Sequence, residues 1–417
     1  MITDSALGAT PEIGPSTAAA RASVGFWLVA AVYALVMLGG TLPVPLYVFW
    51  APQMGFGPFT TTLVFATYAL GTVLALVVFA SLSDRAGRRP LLASALLAAA
   101  ARTALFLVAR NVETLLAARF MCGLATGVFT ATATAALGEL AGERHARRAS
   151  VVSTAANMGG LGLGAIVAGV FAQLGGNPTH LVFWVYLAAL LPALVAVAVV
   201  PETVAVRQRP VLSVRRPALP GERAGREEFL RGAAAVFAAF AVSGLFSSLV
   251  PSFLREQLHV ADVAAVGGVV GLLFIVALIA QLAAPARWLS RRWPAPAFLI
   301  GGVVVFEIGL WTRSLPLFIA GTLLAGTGIG LAFRRGVEAA QRLADPQHRA
   351  DLLSTYFLAA YAGTIVPTLA LGLLGQVINT DIATLFLAAG VVAVTLAAAL
   401  GRRTGPITHP VGRTDRH

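Results

Sequence analysis

The length of the apolar blocks constrains this chain more than any other feature. A bilayer core is about 30 Å thick, so a helix that crosses it needs roughly 20 apolar residues. Such blocks recur at 25–49, 58–80, 91–109, 113–138, 150–174, 179–200, 229–254, 263–284, 295–312, 315–336, 352–374 and 382–400. Leu91 to Ala101 carries no charge, and Ser94 is its only polar side chain. Only 12% of all residues are charged, against about 25% in soluble domains, so a soluble fold would lack the groups to cover its surface. Inside a bilayer the backbone must satisfy its own hydrogen bonds, which leaves helices or a closed barrel. The blocks do not alternate apolar and polar residues as barrel strands do. The expectation is an all-α membrane protein of twelve transmembrane helices.

The formal net charge of +12 would suit a nucleic-acid partner, but its placement argues against one. All 30 basic residues are Arg, and by these spans 22 of them lie in the two tails or the even-numbered loops. Arg231, Arg334 and Arg335 adjoin those loops; Arg110, Arg255 and Arg313 lie in or beside odd-numbered ones; Arg102 and Arg119 fall inside spans. This positive-inside pattern predicts a multi-pass protein of the cell (plasma) membrane with both termini cytoplasmic, in contact with the lipid bilayer and with no nucleic acid. The single cysteine, Cys122, offers neither an intrachain disulfide nor a metal cluster, and none of the six His forms a metal-ligand pair at helical spacing. Without Lys there is no P-loop. No cofactor, metal site or enzymatic role is expected.

One loop is long. Residues 201–228 are rich in Arg, Pro and Glu and separate six spans from six more. The expected organisation is a cytoplasmic tail at 1–24, read as disordered, a first six-helix half at 25–200, a cytoplasmic linker at 201–228, a second half at 229–400 and a cytoplasmic tail at 401–417. The halves repeat at an offset of 203: Gly123 and Gly127 match Gly326 and Gly330, Arg88-Arg89 matches Arg291-Arg292, Leu140 and His145 match Leu343 and His348, and Gly160 and Gly169 match Gly363 and Gly372. Near the ends of the first and seventh spans, Val44-Pro45-Leu46-Tyr47 resembles Val250-Pro251-Ser252-Phe253. Two parallel six-helix pseudo-repeats around a central cavity form a transporter arrangement, with a small-molecule site near the midplane.

The sharpest local pattern is Leu82-Ser83-Asp84-Arg85-Ala86-Gly87-Arg88-Arg89, between spans two and three. It resembles the loop signature of the major facilitator superfamily, G-x-L-a-D-r-x-G-r-r, at Leu82, Asp84, Arg85, Gly87, Arg88 and Arg89, with Ala80 in place of the leading Gly. The resemblance implies a conformational latch: Asp84, Arg88 and an acid at the end of the fourth span, where Glu139 stands, form a charge network. Asp84 and Arg88 are four apart and meet if the helix continues between them. A second partner for Asp84 is the N-terminus of the eleventh span, near Asp351 to Ser354, where the helix dipole favours an anion. Arg119-Phe120-Met121-Cys122-Gly123 is similar to the family's fourth-span signature R-x-x-q-G, with Cys122 for Gln. Arg119 lies roughly 10 Å into its span, a depth at which a charge faces a cavity or a partner; in proton-coupled relatives it is implicated in coupling or in holding an anion. Asn157 to Gly169 of the fifth span looks like the family's antiporter signature, with Ala165 where Pro is expected. Its Gly160, Gly164 and Gly169, with Gly123 and Gly127, let helices approach closely.

Pro43 and Pro45 in the first span and Pro251 in the seventh are expected helix breaks, with Gly39 and Gly40 weakening the first span further. Tyr33, Tyr47, Phe129, Phe246 and Phe333 are expected to line the path, with Tyr47 and Trp50 equally suited to anchoring at the interface. Arg102 and Glu307 lie on peripheral spans, where Arg102 reaches outward and Glu307 pairs with a neighbouring helix. The functional expectation is export of small organic, amphipathic molecules by proton antiport. Uptake of a sugar, organic acid or amino acid, with Arg119 facing an anionic substrate, is the alternative.

Overall fold

The structure is a computed structural model that describes residues 15–79, 82–174, 176–204, 217–258, 260, 262–343 and 349–401. In chain order the helices are α1 (Pro15–Thr41), α2 (Tyr47–Met54), α3 (Pro58–Val78), α4 (Leu82–Ala86), α5 (Arg88–Val108), α6 (Val112–Ala141), α7 (Ala146–Leu174), α8 (Leu181–Val199), α9 (Arg223–Glu256), α10 (Val263–Ala283), α11 (Ala286–Ser290), α12 (Pro294–Trp311), α13 (Leu315–Leu343), α14 (Arg349–Val377) and α15 (Thr380–Leu400). With α1 and α2 counted as one, 12 spans among the described residues are long and apolar enough to cross a membrane. The short α4 and α11 lie in repeat-related loops. An even number of crossings returns the chain to the face it started from, here called the terminal face; the other is the far face.

Local chemistry sets the starts of several spans. Asn111 accepts a hydrogen bond from the Thr114 amide at 2.9 Å, Asp262 from Ala265 at 3.0 Å and Asn379 from Asp381 at 2.8 Å. Each cap satisfies a backbone donor that a helix start leaves free, and all three lie at the far face. Pro58 and Pro294 open α3 and α12, where the missing N–H costs nothing. Large apolar side chains such as Leu191, Val195, Val377 and Phe386 are exposed, as a surface against lipid requires.

Four expectations need correction. The described part of the predicted tail, 15–24, is helical, because its Ala-rich sequence favours helix and continues the first span without a stop. The predicted linker yields its last six residues to α9, which starts at Arg223. Pro251 does not break α9, which runs on to Glu256; a proline removes one hydrogen bond, a loss that membrane helices absorb locally. The helix does not continue from Asp84 to Arg88: it stops at Ala86, and Gly87 at φ 103° takes a backbone conformation that side chains disfavour.

Packing repeats as the sequence does. A Cβ on Gly123 or Gly127 of α6 would run into the backbone or Ala75 of α3, and one on Gly326 or Gly330 of α13 would run into the backbone of α10. Gly160 of α7 abuts Ala34 O of α1, and Gly363 of α14 abuts Phe237 O of α9. The matched glycines Gly169 and Gly372 both cross between halves, to Val263 O of α10 and to Thr62 and Phe59 of α3. Gly164 abuts Leu38 O within the first half. Gly330→Leu is expected to lower stability by about 3 kcal/mol through overpacking against backbone, whereas Gly301→Leu, with nothing within 4 Å of its Cβ position, should leave the thermal midpoint of the purified protein unchanged.

Candidate functional site

The first span ends inside the bundle. Pro43 has no N–H, so Gly39 O loses its partner four residues on, and α1 stops at Thr41. A short 3₁₀ turn at Val44–Leu46 leads into α2. Two arginines take up the freed carbonyls. Arg102 Nη1 of α5 donates to Gly39 O at 2.7 Å, and Arg119 Nη1 of α6 donates to Gly40 O at 2.9 Å. Both guanidiniums stand at the C-terminal end of the α1 dipole, where positive charge is favoured.

Arg102 is fully buried, not directed outward as expected. Its Nη2 donates to Tyr186 Oη of α8 at 3.0 Å and its Nη1 also reaches Cys122 Sγ at 3.1 Å. The open end of α1 draws it inward, because a satisfied guanidinium between helices costs less than a free carbonyl in lipid. Arg119 is equally buried. Its guanidinium lies 5.4 Å from the Tyr47 ring, 5.8 Å from Phe65 and 5.2 Å from Tyr68, a cage of cation–π contacts. Arg119 Nε and Nη2 and Tyr47 Oη are buried without a hydrogen-bond partner among the described residues.

The expected aromatic lining divides. Phe129 and Phe246 are core residues, and Tyr47 is buried against Trp50 rather than at an interface. Tyr33 accepts a hydrogen bond from Asn157 at 2.8 Å and lies beside Thr130, Thr134 and Ser153. Thr134 and Ser153 hydroxyls are 3.0 Å apart. This hydroxyl and amide cluster belongs to α1, α6 and α7. In the second half Phe240 of α9 stacks on Phe333 of α13 at 5.9 Å and meets Tyr361 of α14 edge-on at 5.8 Å, with Phe357 beside Phe333. All four rings are partly exposed. Across the junction of the halves, Tyr361 lies close enough to Tyr33 and Tyr68 for their charges to act on its hydroxyl. Thr130 with Thr134, Ser153 with Asn157, and Phe357 with Tyr361 are each four apart, a helical-face signal that the sequence carries.

At the terminal face, Arg88 forms a two-point ion pair with Glu139, at 2.7 Å from Nη2 and 3.2 Å from Nε. The Arg88 and Arg89 amides at the start of α5 donate to the Glu202 carboxylate at 2.8 and 3.2 Å, and Thr203 Oγ1 bonds Glu139. Glu202 was not expected; its signal is a lone carboxylate directly after the sixth span. The Asp84 side chain lies outside the described residues. Arg85 stands on α4 beside this cluster. Glu307 is buried on α12 and accepts from Thr384 of α15 at 3.3 Å, away from the junction.

Contacts between halves gather toward the far face, where α7 meets α10 and α3 meets α14. Arg255 lies over Phe49 at 5.3 Å, and Gln173 bonds Asp262; the latter is the one hydrogen bond between halves among the described residues. At the terminal end of α6, Gly138 is exposed with nothing within 4 Å of its Cβ position. Two repeat-related six-span units that meet along α7–α10 and α3–α14 are the build of a secondary transporter.

The chain belongs to the Major Facilitator Superfamily, which it matches over residues 29–295. No curated protein matches it. Its fold is similar to a bacterial homolog of the human lysosomal transporter Spinster in an inward-facing and unoccupied conformation, at TM-score 0.69 and 15% identity over 94% of this chain and 96% of that one. It is similar to a point mutant of the nucleoside transporter NupG at TM-score 0.69 and 12% identity, covering 90% and 98%. It is also similar to the human organic anion transporter MFSD10 (TETRAN) at TM-score 0.60 and 18% identity, covering 90% and 99%. The protein is a multi-pass membrane transporter of small molecules.

Arg102→Gln is expected to lower stability by about 3 kcal/mol, because Gly39 O and Tyr186 Oη both lose a charged partner. Arg102→Lys should recover little of it, since an ammonium lacks the planar fork. Denaturation midpoints of the purified variants check both.

Proposed function

We propose that the protein exports small organic, amphipathic molecules across the cell membrane in exchange for protons, by rocking units 25–200 and 229–400 about a site between them. The observation that carries the substrate class is the pairing of a hydroxyl and amide cluster, Tyr33, Thr130, Thr134, Ser153 and Asn157, with an aromatic one, Phe240, Phe333, Phe357 and Tyr361. Such a site holds a flat apolar body on one side and its polar groups on the other. The arginine distribution supports a cytoplasmic terminal face, so the halves meet on the extracellular side and the site opens inward.

In the proposed cycle the linker 201–228 tethers the units, and the Arg88–Glu139 pair fixes the start of α5 while Asp84, with Arg85, Gly87 and Arg89, forms the latch. Closing the inner side brings Asp84 to the N-terminus of α14, where the dipole favours it. Gly123, Gly127, Gly160 and Gly164 keep the first unit rigid while Gly169 lies on the junction that moves, and the break at Pro43 and Pro45 holds Arg119 at the end of α1. Proton exchange is supported by the resemblance of the fifth span to the antiporter signature.

One observation favours a second reading, uptake of an organic anion: Arg119 keeps two buried donor atoms without partners, Nε and Nη2, which suit a carboxylate.

The deciding experiment loads everted membrane vesicles with a proton gradient and adds a panel of aromatic amphiphiles. Export by antiport predicts proton release on addition, lost with an uncoupler and cut about tenfold by Tyr361→Ala or Phe240→Ala. Accumulation of an organic anion in whole cells, abolished by Arg119→Ala and with no proton release in vesicles, would replace this reading by the second.

A further inference from the structure

The internal repeat sets up a comparison between the terminal ends of the two halves. In the first half, the chain itself supplies carboxylates to this loop: Glu139 pairs with Arg88, and Glu202 accepts from the amides that start α5. At the offset of 203 the second half keeps the arginine pair as Arg291 and Arg292, but Arg342 stands where Glu139 stands and Arg287 where Asp84 stands. Two carboxylate positions have become cations.

A cavity of about 440 Å³ opens at this place, between α9, α12, α13 and α15. Four guanidiniums line it, Arg231, Arg292, Arg335 and Arg342, against the carboxylates Glu228 and Glu338. Glu228 is engaged by Arg342 at 2.5 Å, and Glu338 by Arg334, which is not in the lining, at 2.9 Å. Among the described residues neither Arg292 nor Arg335 has an ion-pair partner. Backbone carbonyls hold them instead: Arg335 Nη1 donates to Arg292 O at 3.2 Å, and Arg292 Nη2 donates to Gly401 O at 2.5 Å. A neutral carbonyl orients cations without cancelling their charge. The floor is apolar, formed by Leu299, Ala332 and Ala398 among others.

Setting membrane topology requires arginines on one face; it does not require them to converge on a cavity with an apolar floor. We propose that this cavity binds a phosphate-bearing anion, which supplies the negative charge that Glu139 and Glu202 supply in the first half. Arg292 and Arg335 grip the phosphate oxygens through planar forks. The anion is either the headgroup of an acidic lipid, as basic pockets between membrane helices hold, or free inorganic phosphate. The site lies within the second half, apart from the junction assigned to the transported molecule.

The test is native mass spectrometry of the full-length protein in detergent, titrated with phosphatidylglycerol, with phosphatidylcholine and with sodium phosphate. One phosphatidylglycerol is expected to bind in preference to phosphatidylcholine. The double variant R292Q/R335Q should weaken that binding about tenfold, while R144Q/R147Q, an equal charge change at exposed positions around the start of α7, should not. Displacement of the lipid by millimolar phosphate would identify free phosphate as the ligand; lipid retention would identify the headgroup. Should the double variant fail to fold, E228Q, which removes a competing carboxylate, is expected to tighten binding several-fold. Equal binding by wild type and R292Q/R335Q, equal loss in R144Q/R147Q, or no tightening in E228Q would overturn the proposal.

Discussion

A carbonyl that loses its helical partner inside a membrane has no water to turn to. Pro43 creates that situation at Gly39, and the end of α1 extends it to Gly40. Much of the first half is arranged around these two oxygens. Arg102 arrives from α5 and Arg119 from α6, so one broken helix end ties three spans together, and Tyr186 brings in α8 through Arg102. Each guanidinium would be expensive to bury alone. Together with the open carbonyls and the C-terminal dipole of α1 they answer a need that the helix break itself creates. Gly39 is part of the same solution: a Cβ there would occupy the space of Arg102 Nη2 and Tyr186 Oη.

The spans were legible because their period and length follow from the bilayer, and the duplication because matched glycines sit at one offset. In the structure those glycines repeat their partners as well as their positions: Gly127 and Gly330 both press a fourth-span helix onto the second helix of its half. Side-chain direction was less legible. Nothing in the composition of α5 says that Arg102 turns inward; the reason lies 63 residues earlier in the chain, at Gly39 O. Phe129 and Phe246 were read as lining because their spans are central, yet an aromatic on a central helix has an equal chance of facing its own half. What marks the junction is the spacing of four in Thr130–Thr134, Ser153–Asn157 and Phe357–Tyr361. Glu202 escaped notice because its role depends on α8 ending beside the start of α5, a tertiary fact.

The halves share a backbone plan but not a charge plan. The first half sets Glu139 and Glu202 against the start of α5 at the terminal face and presents hydroxyl and amide groups at the junction. The second presents aromatic rings there, and its arginines at the terminal face outnumber the acids around them. Duplication preserved the contacts that depend on shape, since a glycine against a backbone cannot vary without displacing a helix. Charged positions in surface loops carry no such steric constraint, and they diverged.

The same reasoning separates what moves from what holds. Within each half, glycines bring backbones into direct contact, and a slide there would drive side chains into main chain. Between halves, the α7–α10 contact sets Gly162, Ala165 and Gly169 against Gly267 and Gly271, with Ile275 seated on Gly162 and Ile166 on Gly271. That seam is as close as the contacts inside each half, but a single hydrogen bond between side chains, Gln173 to Asp262, crosses near it among the described residues. Such a seam resists separation through dispersion over many atoms, while it offers little polar contact among the described residues to oppose a small rotation. Rigid units meeting along such a seam meet the mechanical requirement of alternating access, and the proposed cycle needs no other hinge.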